Sequence, residues 1–243
     1  MIRAILFDLD GTLVHYEYDD FLKAYLDGVA KKVAHLINPQ RFVKKLLKAT
    51  EAMIESLDDA RTNKQVFWDH FAQGLEVPLE ELTPLLDDFY LRDYPKIQEI
   101  IGVAPHPAAR SLMEQLIGKG YEVVIATNPV FPAVAIHERM RWGGIENLSY
   151  ALVTTYENSR FCKPNIQYYA EILEELGRSP HECMMIGNNT CEDLVARDLG
   201  IKTFLVEDYL LDDGPFCREP DYRGSFEDMV NFLATEEFLK TAG

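Results

Sequence analysis

Residues 4–12 read AILFDLDGT, and how this stretch is read decides the rest of the 243-residue chain. Four apolar residues in succession leave no polar face, the pattern of a short strand buried on both sides. The run passes directly into Asp8, Leu9, Asp10, Gly11 and Thr12. In an open parallel sheet the carboxyl ends of strands line the ligand crevice, so both acids fall where ligands bind. Two carboxylates this close raise each other's cost of ionisation unless a cation lies between them. A hard divalent cation with oxygen ligands, most simply Mg²⁺, meets that need. The bland alternative is a turn with a helix cap, which a lone Asp-Gly would fit.

Outward from this strand, apolar runs bounded by turn residues recur at 122–126, 151–154, 183–186 and 203–206. Helical periodicity lies between them at 107–118, at 166–176 before Gly177, and at 193–199 before Gly200. Strand and helix alternate, which predicts an α/β fold: a Rossmann-like parallel sheet with helices on both faces. Residues 16–100 break the alternation. They carry amphipathic patterns at 21–37, 40–57 and 79–90 with no strand between. An α-helical domain, 16–100, is therefore expected as an insertion into a core made of 1–15 and 101–243. Repeats and low-complexity segments are absent from the sequence, and the tail beyond Glu236 reads as solvated surface.

A hydrophobic content of 47% suffices for a sizeable core, while 40 acidic against 24 basic side chains give a formal charge of -16. That charge repels nucleic acid and anionic membrane over most of the surface, so a small anionic substrate needs a local positive trap. The opening MIRAILFDLD has neither the charge nor the apolar length of a secretory signal or membrane span. Cys162, Cys183, Cys191 and Cys217 form no CxxC pair, which argues against a disulfide framework or structural zinc and for the reducing cytoplasm.

A second apolar segment ends in acids at residues 186–193, IGNNTCED. Taken alone this is as readily a turn as a site, because Gly and Asn both tolerate left-handed backbone. Its position after DxDGT lifts it. With that motif at 8–12 behind an N-terminal strand, the chain resembles the haloacid dehalogenase-like hydrolase superfamily. The resemblance implies three further stations in order. Thr127 and Asn128 in VVIATNP match the second, Lys163 in FCKPNIQYY the third, and Gly187 with Asp193 the fourth, where Asn188 stands in place of the family's acid. The segments 196–203 and 220–233 also look like the family's last helix, strand and tail.

The resemblance implies a phosphatase acting on a small phosphorylated metabolite, with Asp8 as nucleophile of an aspartyl-phosphate and Asp10 as general acid and base. Gly11, Thr12, Thr127, Asn128 and Lys163 would surround the phosphoryl group. Asp8, the Asp10 backbone carbonyl, Asn188 and Asp193 would hold Mg²⁺, with Asp193 either a ligand or a partner for Lys163. The helical insert would be the family's C1 cap, and His15, Tyr16, Tyr18, Arg61 and Lys64 are its candidate substrate contacts. A phosphomutase is the nearest rival. Dehalogenases of the family lack the second acid that Asp10 supplies here, and a weakened, ligand-binding member is the reading that Asn188 would favour.

Overall fold

In the computed structural model of the chain, which describes residues 1–212 and 218–235, six parallel strands form one sheet. The strands are β1 (Ala4–Phe7), β2 (Glu122–Ile125), β3 (Leu152–Val153), β4 (Cys183–Gly187), β5 (Lys202–Val206) and β6 (Tyr222–Gly224). They lie side by side in the order β3-β2-β1-β4-β5-β6, all neighbours parallel. The order of strands reverses between β1 and β4, and at such a switch point the loops leaving the two strands diverge and open a crevice at their carboxyl ends.

Six helices connect β1 to β2: α1 (Tyr18–Val33), α2 (Pro39–Ile54), α3 (Asn63–Ala72), α4 (Leu79–Asp88), α5 (Ile97–Ile101) and α6 (Pro107–Gly118). After β2 come α7 (Ala133–Trp142), α8 (Ile166–Leu176) and, at the end of the described chain, α9 (Phe226–Ala234). Local chemistry sets several ends. The Asn38 side chain accepts the Arg41 N–H at 3.1 Å ahead of Pro39, Thr62 and Gln65 cap α3 reciprocally, and α8 stops at Gly177 in the left-handed region.

Alternate residues of each strand serve opposite layers, as a period of two requires. Ile5 and Phe7 of β1 join the apolar cluster containing Leu112 of α6, Ile136 of α7 and Met229 of α9. Ala4 and Leu6 join the cluster formed by Tyr168, Tyr169 and Ile172 of α8. Helices thus cover both faces, as expected. The first cluster continues into α1–α4 through Phe21, Tyr25, Phe42, Phe71 and Leu82. Trp142, at the end of α7, stacks on Tyr94 with ring centroids 5.4 Å apart and an interplanar angle of 20°.

Several expectations need correction. Residues 193–199 do not form an α-helix; only Leu194–Leu199 coil, as a 3-10 helix. The short connection from β4 to β5 spends its first half on the 188–193 loop, and Gly200, with φ of 93°, ends the turn that remains. Helix α3, which starts at Asn63 and includes Lys64, was not among the helical patterns anticipated. Helix α7 and strand β6 were not anticipated, the first because its buried face carries an arginine, the second because YRG is too short and polar to show a pattern. No strand occurs between β1 and β2. Among the described residues no helix is long and apolar enough to cross a membrane. Cys162, Cys183 and Cys191 are free thiols, whereas Cys217 and the tail beyond Glu236 lie outside the described residues.

The edge of the sheet is tied by Asp221. Its carboxylate accepts the Lys202 ammonium at 2.9 Å, the Thr203 N–H at 3.0 Å and the Thr203 hydroxyl at 3.3 Å. Burial raises its pKa, but the Lys202 and Thr203 bonds outweigh it and hold the group below the ordinary aspartate range. A lowered folded pKa contributes stability above the unfolded value, near 4, and loses it as pH falls through the folded one. Asp221→Asn is therefore expected to lower stability at pH 7 by about 1–3 kcal/mol. The gap between variant and wild type should narrow at pH 3, measured by urea unfolding at both pH values.

Candidate active site

Lys163, between β3 and α8, sends its ammonium into the crevice at the switch point, where it is fully buried. Nζ lies 2.8 Å from Asp8 Oδ1 and 2.6 Å from Asp193 Oδ1. Burial disfavours the ammonium, yet Asp193 and Asp8 outweigh it and hold the pKa of Lys163 well above its ordinary value. For Asp8 the balance runs the other way. Burial is the largest influence and raises its pKa; Lys163 opposes, while Asp193 and Asp10 add to the rise. One ammonium between two buried carboxylates leaves a negative charge without a partner, and that surplus makes Asp8 costly to ionise.

The other Asp8 oxygen faces Thr12 and Asn188. The Thr12 hydroxyl lies 3.5 Å from Asp8 Oδ2 and donates to Asn188 Oδ1 at 3.2 Å. Asn188 donates its amide to the Tyr209 carbonyl, which leaves Oδ1 to accept the Thr12 hydroxyl. Gly11 is required for this approach. A Cβ at that position would lie 2.3 Å from Asn188 Nδ2, and its φ of 79° is in the left-handed region.

The loop IGNNTCED is both a turn and part of this cluster. Asn189 Oδ1 accepts the N–H groups of Cys191 and Glu192 at 2.9 Å each and shapes the turn. Asp193 folds back so that Oδ2 accepts the Asn189 N–H at 2.9 Å. Only glycine at 187 permits this, because a Cβ there would stand 2.1 Å from Asp193 Oδ2. Both Asp193 oxygens are thus engaged, one by Lys163 and one by its own loop.

Asn128 joins the network from the loop that follows β2. Its Oδ1 accepts the Lys163 N–H at 3.2 Å, and Nδ2 donates to the Lys163 carbonyl at 3.3 Å and to Glu192 at 3.1 Å. Thr127 is buried at the end of β2, its carbonyl accepting the hydroxyls of Thr154 at 2.8 Å and Tyr168 at 2.9 Å. The expected residues Asp8, Thr12, Asn128, Lys163, Asn188 and Asp193 therefore lie in one hydrogen-bonded cluster.

Asp10 turns to a different cation, one the sequence reading missed. The guanidinium of Arg139 on α7 bonds Asp10 Oδ2, and the Tyr16 hydroxyl donates to Oδ1. Arg139 is 1% exposed and lies over the rings of Phe131 at 4.6 Å and Phe21 at 5.4 Å. Burial lowers its pKa, but Asp10, Tyr94 and Tyr16 outweigh that and keep it charged. The available signal was an arginine at 139 within the buried stripe Ala135, Ile136, Met140 and Trp142, where a charge needs a partner.

The five residues expected to touch substrate part company. Tyr16 binds Asp10, and Tyr18 lines a cavity of about 320 Å³ beside Asp10, Gly11 and Asn188. His15 Nε2 donates to the Thr12 carbonyl at 3.1 Å, and the ring packs on His106 and Phe226. Arg61 is held away by Asp58 and Asp69, both at 2.7 Å. Lys64 is exposed near the Tyr156 ring.

Two oxygen donors suited to a hard cation, Asp8 Oδ2 and Asn188 Oδ1, both lie within 3.5 Å of the Thr12 hydroxyl. The surplus buried negative charge fits such a cation as well. Among the described residues no three His, Cys, Asp or Glu side chains are grouped to hold a metal, which follows from the amide at 188 and from the engagement of Asp193 by Lys163.

A doubly covered parallel sheet with acids at its switch point, one of them paired with a buried lysine, defines a class of hydrolase. The family model of haloacid dehalogenase-like hydrolases matches residues 2–200, and the chain belongs to that family. It is 28% identical over 212 residues to a glyceraldehyde 3-phosphate phosphatase of Methanothermobacter thermautotrophicus, covering 86% of this chain and 88% of that one. A phosphatase of the same family from Thermococcus onnurineus superposes with a TM-score of 0.59 at 21% identity, over 96% of this chain and 98% of that one. An L-2-haloacid dehalogenase from Xanthobacter autotrophicus also reaches 0.59, at 17% identity over 96% and 99% of the two chains. These structural likenesses establish the fold.

Removing Lys163 leaves two buried carboxylates facing each other. Lys163→Met is expected to cost about 3–5 kcal/mol of stability in urea unfolding. Adding Asp8→Asn should recover part of that loss, and strict additivity of the two changes would show that the Asp8–Lys163 pair is not coupled.

Proposed function

We propose that the protein is a Mg²⁺-dependent phosphatase that hydrolyses a small phosphomonoester through an aspartyl-phosphate on Asp8. The observation that carries this reading is the Asp8 carboxylate at the end of β1, with Lys163 on one oxygen and Thr12 beside the other. The 28% identical glyceraldehyde 3-phosphate phosphatase supports phosphoester chemistry, and Asp10, the second acid of the motif, separates this site from the dehalogenases.

Asp8, the Asp10 backbone carbonyl and Asn188 Oδ1 would hold Mg²⁺, with Asp193 acting as the partner of Lys163. Bound there, the cation would neutralise phosphoryl charge and reverse the sign of the buried cluster, the local trap that a chain of charge -16 needs. Lys163, Thr127 and the backbone at Asn128, with Gly11 and Thr12, surround the transferred group. Asp8 attacks phosphorus, and the ester oxygen leaves with a proton from Asp10. Water then attacks the acyl phosphate, Asp10 takes its proton, and inorganic phosphate departs. Arg139 and Tyr16 are positioning residues that hold the Asp10 carboxylate in one rotamer, and one of these contacts must loosen as substrate enters.

Residues 16–100 act as the cap over a core of 1–15 and 101–243, closing over the crevice and excluding water from it. The free thiols suit the reducing cytoplasm.

Asp8→Asn is expected to abolish phosphate release while leaving the unfolding midpoint near that of wild type; turnover at the wild-type rate would falsify the covalent role. EDTA should stop release and added Mg²⁺ restore it. At position 188 an amide replaces a charged ligand, and bonds to charged groups contribute about 1.5–3 kcal/mol. Asn188→Asp should therefore lower the Mg²⁺ concentration for half-maximal rate by roughly one to two powers of ten. Coincident titration curves would place residue 188 outside the metal's reach.

A further inference from the structure

A second cavity, of about 300 Å³, lies between the helices α1–α4 and the loops that follow β2 and β3. Leu22, Tyr25, Leu26, Phe67, Phe71 and Phe131 supply much of its wall. Several of its polar side chains are already satisfied by the protein. The Tyr25 and Tyr90 hydroxyls bond each other at 3.0 Å, Thr50 donates to the Leu46 carbonyl at 3.0 Å, and Glu157 accepts the Ala133 N–H at 2.9 Å. Lys64 and Asp87 are exposed residues of the lining. A hydroxyl carried deep into this space would lose water and find few groups left to replace it, whereas an apolar group would gain ring and methyl contacts.

Two residues relate this cavity to the candidate active site. Tyr18 lines both the cavity beside Asp10 and Asn188 and this one. Phe131 forms part of the apolar wall and stacks at 4.6 Å on Arg139, which binds Asp10. An ester whose phosphoryl group meets Asp8 would reach this aromatic wall by extending its alcohol portion past Tyr18.

We propose that this cavity binds the alcohol portion of the substrate, and that the substrate class is phosphomonoesters of apolar, aromatic or aliphatic, alcohols. The proposal rests on the phosphatase reading above. In the reaction water supplies one oxygen to inorganic phosphate, the ester P–O bond breaks, and the alcohol oxygen keeps the proton it receives.

The test uses the full chain with Mg²⁺ and two readouts. The first is kcat/KM for phosphate release along ethyl, butyl and hexyl phosphate, with 2-naphthyl phosphate and glyceraldehyde 3-phosphate alongside. Each buried methylene is worth about fourfold, so hexyl should exceed ethyl phosphate by at least tenfold, and 2-naphthyl should exceed glyceraldehyde 3-phosphate. The second readout is direct binding of 2-naphthol by calorimetry, which needs no turnover, in wild type, Leu26→Trp and the more exposed Leu47→Trp. Both substitutions should weaken binding at least fivefold and flatten the chain-length series. A flat or falling series, or preference for glyceraldehyde 3-phosphate, would overturn the substrate class. Absence of 2-naphthol binding would overturn the cavity assignment. Naphthol binding that the two substitutions weaken, with no phosphate released from any ester, would instead overturn the phosphatase reading and leave the cavity as an apolar ligand site.

Discussion

The ammonium of Lys163 between the carboxylates of Asp8 and Asp193 is the contact on which the rest of the molecule depends. Three charged groups in a closed crevice are expensive to desolvate, and they persist only where geometry brings them within direct hydrogen-bonding distance. That geometry comes from the sheet. β1 and β4 are neighbours in register, Phe7 opposite Ile186, so the loops leaving them start side by side. Asp8 then follows one strand directly, and Asp193 is folded back against the end of the other by the missing side chain at Gly187.

The two acids of the first motif have different charged surroundings. Asp10 has Arg139 to itself, with Tyr16 as a second donor, and its charge is matched. Asp8 shares Lys163 with Asp193 and is the group that burial disfavours. A buried anion with half a partner attracts a cation, and in the proposed reaction it would attack as a poorly solvated nucleophile. Asn188 moderates this, offering an acceptor oxygen without adding another negative charge to a cluster already in surplus.

Arg139 also links the catalytic end of the sheet to the helical insertion. Its guanidinium lies over Phe21 of α1 and Phe131 of the loop after β2, while Trp142 one turn later stacks on Tyr94. A movement of the helices relative to the sheet would disturb the rings that cover Arg139, and through it the carboxylate of Asp10. The apolar seam between insertion and core is therefore connected to the chemistry by two contacts, and the cavity beside Phe131 belongs to the same seam.

Much of this was legible in the amino-acid order, because the features concerned are local. A strand buried on both faces must be apolar throughout, so Ala4–Phe7 and Cys183–Gly187 were visible, as was the strand-free interval of amphipathic helices. The DxDGT motif and the order of Thr127, Lys163 and Asp193 located the candidate site, since loops at the carboxyl ends of parallel strands must converge. The distribution of partners among those residues was not legible. Whether Asp193 faces a metal or Lys163 depends on a side chain folding back over Gly187, and the partner of Asp10 lies 129 residues away on a helix whose polar residue interrupts its own apolar stripe. Sequence pattern determined the parallel sheet and the strand-free run of helices between β1 and β2, and it nominated the chemically able residues, because periodicity and motif spacing act along the chain. Only the tertiary structure decided which charge neutralises which, because pairing in a buried crevice is settled by distances between segments that the chain order does not contain.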